Sequence, residues 1–208
     1  MGRKNGVATA RPVVKKALAE IDDAVKAALA PIKLDIGCGP NPRAGFEGVD
    51  QYDFGGKVKH VMDVRKAWPW RDSSVGEIVA SHFIEHLTAV ERIHFMNEAY
   101  RVLVPAGKMS IIVPHWCSSR SYGDPTHQWP PVSEMYFFYL LKSWRDTNAP
   151  HTDASVWKAG FTCDFDATWG YGMRPDVAQR NQEYQTFAMG NYKEVCLDTH
   201  ASLTSRKK

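Results

Sequence analysis

The chain has 208 residues, 44% hydrophobic and 24% charged, with a formal net charge of +3. These values exclude wholesale disorder, collagen and low-complexity architectures and leave room for one domain with a sizeable core. No apolar run reaches the roughly 18 residues of a membrane-spanning helix, so no membrane role is expected, and so weak a basic charge permits an anionic partner without requiring one.

Met1 to Gly6 is followed by no apolar run, which gives no sign of a secretory leader. The four cysteines, Cys38, Cys117, Cys163 and Cys196, are dispersed and form no CxxC pair. A cytoplasmic protein with reduced thiols is therefore expected. In chain order, Val14, Leu18, Ile21, Val25 and Ala28 make the stripe of an amphipathic helix that Pro31 stops. Residues 1–31 thus read as a helical extension that packs on the domain, covers a ligand or joins a homodimer, and 32–208 as the main domain.

Strands are predicted at 32–36, near Val49 and Asp50, at 60–63 and at 77–81. A helix over about 88–103 presents Ile93, Met96, Ala99, Tyr100 and Leu103 on one face. Pro105, Ala106 and Gly107 turn the chain into a buried strand at 109–113. Strands separated by turns and helices make this an α/β fold, a doubly wound and mostly parallel sheet whose ligand lies at the carboxyl ends of the strands. Residues 114–131 lack periodicity and read as a functional loop. Ser133 is a plausible N-cap for a helix carrying the aromatic run Tyr136 to Tyr139. The aromatic run is read first as core or subunit contact and second as a stacking platform for bases. Together 114–150 form the substrate loop and aromatic helix. A period-two strand over 161–169 and a last strand near 193–197 are expected to pair antiparallel, and Ser205 to Lys208 to be a solvated basic tail.

Chemistry concentrates in Leu34-Asp35-Ile36-Gly37-Cys38-Gly39-Pro40. Two glycines one residue apart, directly after a strand, let the backbone turn tightly and approach a ligand closely. Pro42 stands where a dinucleotide motif has its third glycine, and no Gly-Lys-Ser/Thr follows, so a ligand without a pyrophosphate is indicated. Asp50 and Asp63 close the second and third strands. Turn preference alone accounts for any one such aspartate, but three acids at successive strand ends are harder to dismiss. A carboxylate after the second strand suits a ribose diol.

These segments resemble the class I S-adenosylmethionine-dependent methyltransferases, in a compact, type 11-like form. The resemblance runs over 32–115, through the glycine turn, Gly48-Val49-Asp50, Asp63-Val64, Trp68-Pro69-Trp70, Ser81-His82-Phe83-Ile84-Glu85-His86-Leu87 and Arg101-Val102-Leu103-Val104-Pro105-Ala106-Gly107-Lys108. It implies a Rossmann-like fold and S-adenosyl-L-methionine as cofactor. Gly37, Cys38 and Gly39 would pass under its methionine part, with Asp35 orienting that loop or meeting the amino group. Asp50 and Gln51 would serve the ribose, Asp63 and Val64 the adenine, and Ser81 and His82 the region of the transferred methyl. Only eleven positions separate Gly39 from Asp50, so the first crossover helix is expected to be missing or very short.

The acceptor site is expected in the loop after the fifth strand. His115, Asp124 and His127 are the candidate catalytic residues, and Trp116, Tyr122 and His86 the candidate acceptor contacts, although each is also an ordinary hydrogen-bonding residue. Arg120, Lys142 and Arg145 are candidate attractors of an anion. His115, Cys117, Asp124 and His127 match no common metal-ligand spacing, so no metal is expected. A small or medium-sized acceptor is favoured. The alternatives are a nucleic-acid or protein acceptor, which predicts an open basic surface, and a non-catalytic cofactor-binding module serving a partner protein.

Overall fold

A computed structural model describes Lys16, residues 30–156 and residues 160–208. The helix expected before Pro31 lies outside the described residues. Of the two units into which the chain divides, Met1–Pro31 and Ile32–Lys208, the second holds a seven-stranded sheet in the order β3-β2-β1-β4-β5-β7-β6. Its strands are β1 (Ile32–Ile36), β2 (Glu47–Asp50), β3 (His60–Val61), β4 (Val75–Ser81), β5 (Leu103–Pro114), β6 (Phe165–Met173) and β7 (Cys196–Ser205). The first five pair in parallel, and β7 pairs antiparallel with both β5 and β6.

The central strands form because they are buried on both faces: Leu34, Ile36, Ile78, Ala80, Met109 and Ile111 lie in one core. Register is fixed locally as well. Lys33 sits opposite Glu77, and their side chains form an ion pair at 2.7 Å. Helix α1 (Ala89–Val102) begins with a complete capping box between Thr88 and Glu91. It buries Arg92, Phe95, Met96, Ala99 and Val102. That face is turned from the one predicted through Ile93 and Tyr100, because a buried arginine belongs to it. The predicted turn at 105–107 is a break inside β5 rather than a boundary: Val75 pairs with Leu103 and Glu77 with Lys108, with the register shift between them.

Helix α2 (Glu134–Phe138) follows Ser133, whose side chain makes no capping bond, and α3 (Lys142–Asn148) comes next. The last two strands pair antiparallel as predicted but lie further along the chain. The four terminal residues are not a free tail. Ser205 ends β7 and is buried, while Arg206 pairs with Asp164 and Asp166. The Lys207 ammonium donates to the carbonyls of Arg101 and Leu103 at 2.6 and 2.8 Å. A cation there satisfies carbonyls at the exit of α1.

Candidate active site

Parallel pairing brings the carboxyl ends of β1 to β5 to one edge of the sheet. After β1 the amides of Gly37 and Cys38 both donate to the Val49 carbonyl, at 2.8 and 3.3 Å, and stitch the turn to β2. Gly37 has φ +68°, and a Cβ on it would lie 2.3 Å from Cδ2 of Phe83, so only glycine fits. Asp35, 7% exposed, accepts the Arg43 amide at 2.8 Å and closes the loop from within. Asp50 accepts the Gly39 amide at 3.0 Å on one oxygen and the Tyr52 amide at 3.1 Å on the other. Asp63 accepts both the backbone amide and the guanidinium of Arg65, which hold its carboxyl below the usual carboxylate range. Burial, aided by Asp35 and Asp50, pushes the Cys38 thiol up.

Gly37, Asp50, Asp63 and Arg65 border a cavity of about 420 Å³. Its polar wall is the Gly37 backbone with Asp50, Gln51 and Asp63, and its apolar wall includes Val49, Met62, Val64, Phe83 and Leu87. Of the residues the resemblance assigns to the cofactor, Gly37, Asp50, Gln51, Asp63 and Val64 stand on this wall. Asp35, Cys38, Gly39 and Ser81 do not line it; the first three belong to the turn after β1, and Ser81 ends β4.

His82 belongs to a second cavity, of about 530 Å³, which it lines with Glu85, His86, Arg120, Asp124 and His127. The two cavities share His86. His82 has φ +52°, a conformation uncommon for a side-chain-bearing residue, and its amide donates to the Ile112 carbonyl at 2.8 Å. Its ring lies between Glu85, 3.4 Å away, and Asp198, 4.0 Å away. The Glu85 carboxylate beside it raises its pKa above the ordinary histidine value. Arg120 pairs with Asp198 at 2.9 Å. The structure therefore gathers His86, Asp124 and His127, three of the six predicted acceptor-site residues, around one space.

The other three lie elsewhere. His115 is 2% exposed; its Nδ1 accepts the Cys117 amide at 3.2 Å, so its Nε2 donates to Glu134 at 2.9 Å. That bond holds Glu134 below the usual carboxylate range. Trp116 donates to the other Glu134 oxygen at 3.0 Å, and Trp116 and Tyr122 line a third cavity with Cys117 and Trp129. Of the proposed anion attractors, Arg145 is buried and donates to the carbonyls of Tyr139, Phe161 and Cys163, and Lys142 pairs with Asp146. Phe137, in the middle of the aromatic run, is fully buried and stacks on Trp169.

Two important side chains carried no role in the sequence reading. Glu85 is 4% exposed and faces the second cavity. Arg92 is buried on α1 and donates to the carbonyls of Ile84, Glu85, Gln128 and Pro130. Glu85 stands in the Ile84–His86 turn that follows β4. Arg92 had no signal, because its partners are backbone carbonyls, two of them 36 and 38 positions away.

No protein-family model matches the chain, and no curated protein matches it in sequence. Solved structures do match. The chain superposes on a SAM-dependent methyltransferase from Archaeoglobus fulgidus with a TM-score of 0.59 at 20% identity, covering 94% of both chains. It has the class I methyltransferase fold. A second similar structure is the complex between the Haloferax volcanii Trm112 methyltransferase activator and a candidate methyltransferase, with a TM-score of 0.51 at 12% identity over 86% of this chain and 84% of that one. In this instance of the methyltransferase fold the shortening reaches beyond the first crossover. Residues 37–46, 51–59 and 62–74 connect β1 through β4 by turns and loops alone. The edge of the first cavity is accordingly built from short loops bearing Tyr52, Phe54 and Arg65.

Proposed function

We propose that the chain is an S-adenosylmethionine-dependent methyltransferase acting on a small or medium-sized acceptor. The observation that carries this reading is the pair of cavities meeting at His86, one suited to a nucleoside and the other lined by imidazoles and carboxylates.

The first cavity fits the cofactor on three counts. Gly37 leaves backbone where a Cβ would collide with Phe83. Each Asp50 oxygen accepts one amide, which leaves lone pairs for a diol. Met62, Val64 and Leu87 offer an apolar face of the kind an aromatic base needs. Bound S-adenosylmethionine supplies a methyl group on an already activated sulfonium sulfur. The protein then has to align the acceptor and exclude water. His86, on both cavities, stands where acceptor and donor sites join. His82, Asp124 and His127 hold a polar acceptor, and any proton it must lose leaves toward this wall of imidazoles and carboxylates. The modest net charge of +3 supports a small acceptor over a polyanionic polymer. Unpaired thiols at all four cysteines support a reducing, cytoplasmic setting. Residues 1–31 are read as an extension of the 32–208 domain.

The test is a labelled-methyl transfer assay against pools of small metabolites, RNA, DNA and protein. Label is expected in the small-molecule pool; label confined to a macromolecular pool, or none with any pool, contradicts the reading. With the acceptor in hand, His127→Ala is expected to slow turnover by about tenfold or more while cofactor affinity stays unchanged. An unchanged rate removes His127 from the reaction.

A further inference from the structure

The second cavity holds a feature that methyl transfer alone does not require. Among the described residues, one group can supply three metal-ligating atoms: Glu85, His86 and His127, whose donor atoms lie within 4.8 Å of one another. Glu85 and His86 share a tight turn, Ile84–His86, after β4. The Gln128 amide donates to the Glu85 carbonyl at 2.8 Å, which sets His127 against that turn, and the two imidazole rings meet edge to face at 4.6 Å.

Three independent observations give this cluster the character of a cation site. Glu85 is buried, and neither of its carboxylate oxygens has a hydrogen-bond partner. A buried carboxylate whose oxygens accept no hydrogen bond is costly even with cations nearby, and coordination of a metal ion is a direct way to offset that cost. The Arg92 guanidinium acts on it through charge and makes no hydrogen bond to it, since the donors of that group go to four backbone carbonyls. The His82 ring forms a long ion pair with one of these oxygens at 3.4 Å and leaves the other without a polar contact.

The second observation is the tautomers. The Thr126 hydroxyl donates its single proton to Asp124 at 2.7 Å, so at 3.0 Å it accepts from Nδ1 of His86. Nδ1 of His127 lies 3.2 Å from the Ser121 carbonyl, which can only accept. Both rings thus carry a proton on Nδ1, so the lone pair of each neutral imidazole is on Nε2, which in His127 lies 3.9 Å from Asp124 Oδ2. A histidine whose far nitrogen is pinned in this way is oriented as metal-ligating histidines are.

The third is rigidity. The Arg92 contacts tie the turn at Ile84 and Glu85 to the chain at Gln128 and Pro130, on either side of the cluster. The cluster is held before any ligand arrives.

We propose that Glu85, His86 and His127 bind one divalent first-row transition ion, of the class that two imidazoles and one carboxylate select. Metal–nitrogen bonds there would be about 2.0–2.1 Å long. Three protein ligands leave coordination positions open toward the cavity of about 530 Å³. An oxygen or nitrogen donor of the acceptor would take such a position, beside the cavity that shares His86. This last role rests on the methyltransferase reading; the site itself does not.

The test uses the tag-free full chain, stripped with chelator and titrated with zinc by calorimetry and with cobalt(II) by visible absorption. One ion per chain is expected, with d–d bands of low-symmetry cobalt. Exposed His86 is the variant least able to disturb folding. His86→Ala and His127→Ala should each weaken binding by more than about tenfold, Glu85→Gln should do the same, and His94→Ala, bonded to the Lys66 carbonyl on the surface, should leave it unchanged. Absence of zinc and cobalt binding, or affinity unaltered in His86→Ala and His127→Ala, overturns the site. S-adenosylhomocysteine binding is measured separately on the stripped chain. Its loss with metal binding intact would defeat the methyltransferase reading and leave the metal site standing.

Discussion

Two turns at the same edge of the sheet, Gly37–Gly39 after β1 and Ile84–His86 after β4, are fixed by opposite means. The first is a backbone device: left-handed glycines, amides donated to the Val49 carbonyl, and Asp50 accepting two more amides from residues close by in sequence. The second is a side-chain device. A single buried guanidinium from α1 gathers four carbonyls drawn from the turn and from the distant 128–130 segment. The turns meet where Gly37 faces Phe83. A backbone device tolerates change in its surroundings and fails at its glycine; a side-chain device fails wherever its one charged group is lost.

That contrast can be broken most forcefully at Arg92. Arg92→Ala strips the Gln128 and Pro130 carbonyls of their side-chain donor, removes a second donor from those of Ile84 and Glu85, and is expected to cost on the order of 3–5 kcal/mol in urea unfolding. In the fraction that folds, the second cavity should be disordered and the first intact. A loss under about 1 kcal/mol would show that the turn after β4 holds itself.

At Gly37 the effect moves to the other turn. Gly37→Ala places a Cβ against Phe83 at a left-handed position, a strain of about 1–3 kcal/mol before the ring shifts. We expect S-adenosylhomocysteine affinity to fall by more than about tenfold in calorimetry, since 1.4 kcal/mol is one decade. Unchanged affinity would separate the glycine turn from the ligand.

The smallest effect lies away from both turns, at Glu134. His115 donates to this carboxylate and lowers its pKa, so the bond stabilises the fold fully above the unfolded value near 4.5. The contribution is lost as pH falls through the lower, folded value. Glu134→Gln should therefore reduce the melting temperature at neutral pH by a few degrees and flatten its decline below about pH 4.5. An acid limb identical to that of the parent chain would mean that the His115–Glu134 bond carries no net stability.

The same contrast explains what the sequence disclosed. The parallel half of the sheet was legible because glycines and acids sit at fixed offsets from apolar runs, as in Leu34 to Gly39 and Gly48 to Asp50. The antiparallel pair was legible in kind but not in position. β7 alternates buried Thr199, Ala201, Leu203 and Ser205 with more exposed positions, and half of that buried set is polar. His115 attracted a catalytic expectation because imidazoles in loops do so, yet its partners Cys117 and Glu134 hold it in the interior. Glu85 drew none, since burial and missing hydrogen bonds are properties of the folded chain alone.

The central claim is that Asp50 and the glycine turn grip an adenosyl ligand in the first cavity. Calorimetric titration of the wild-type chain and of Asp50→Ala with S-adenosylhomocysteine tests it most directly. The account predicts one site per wild-type chain and no detectable binding in the variant. Silence from the wild-type chain at millimolar ligand, or equal affinity in the two proteins, would contradict it.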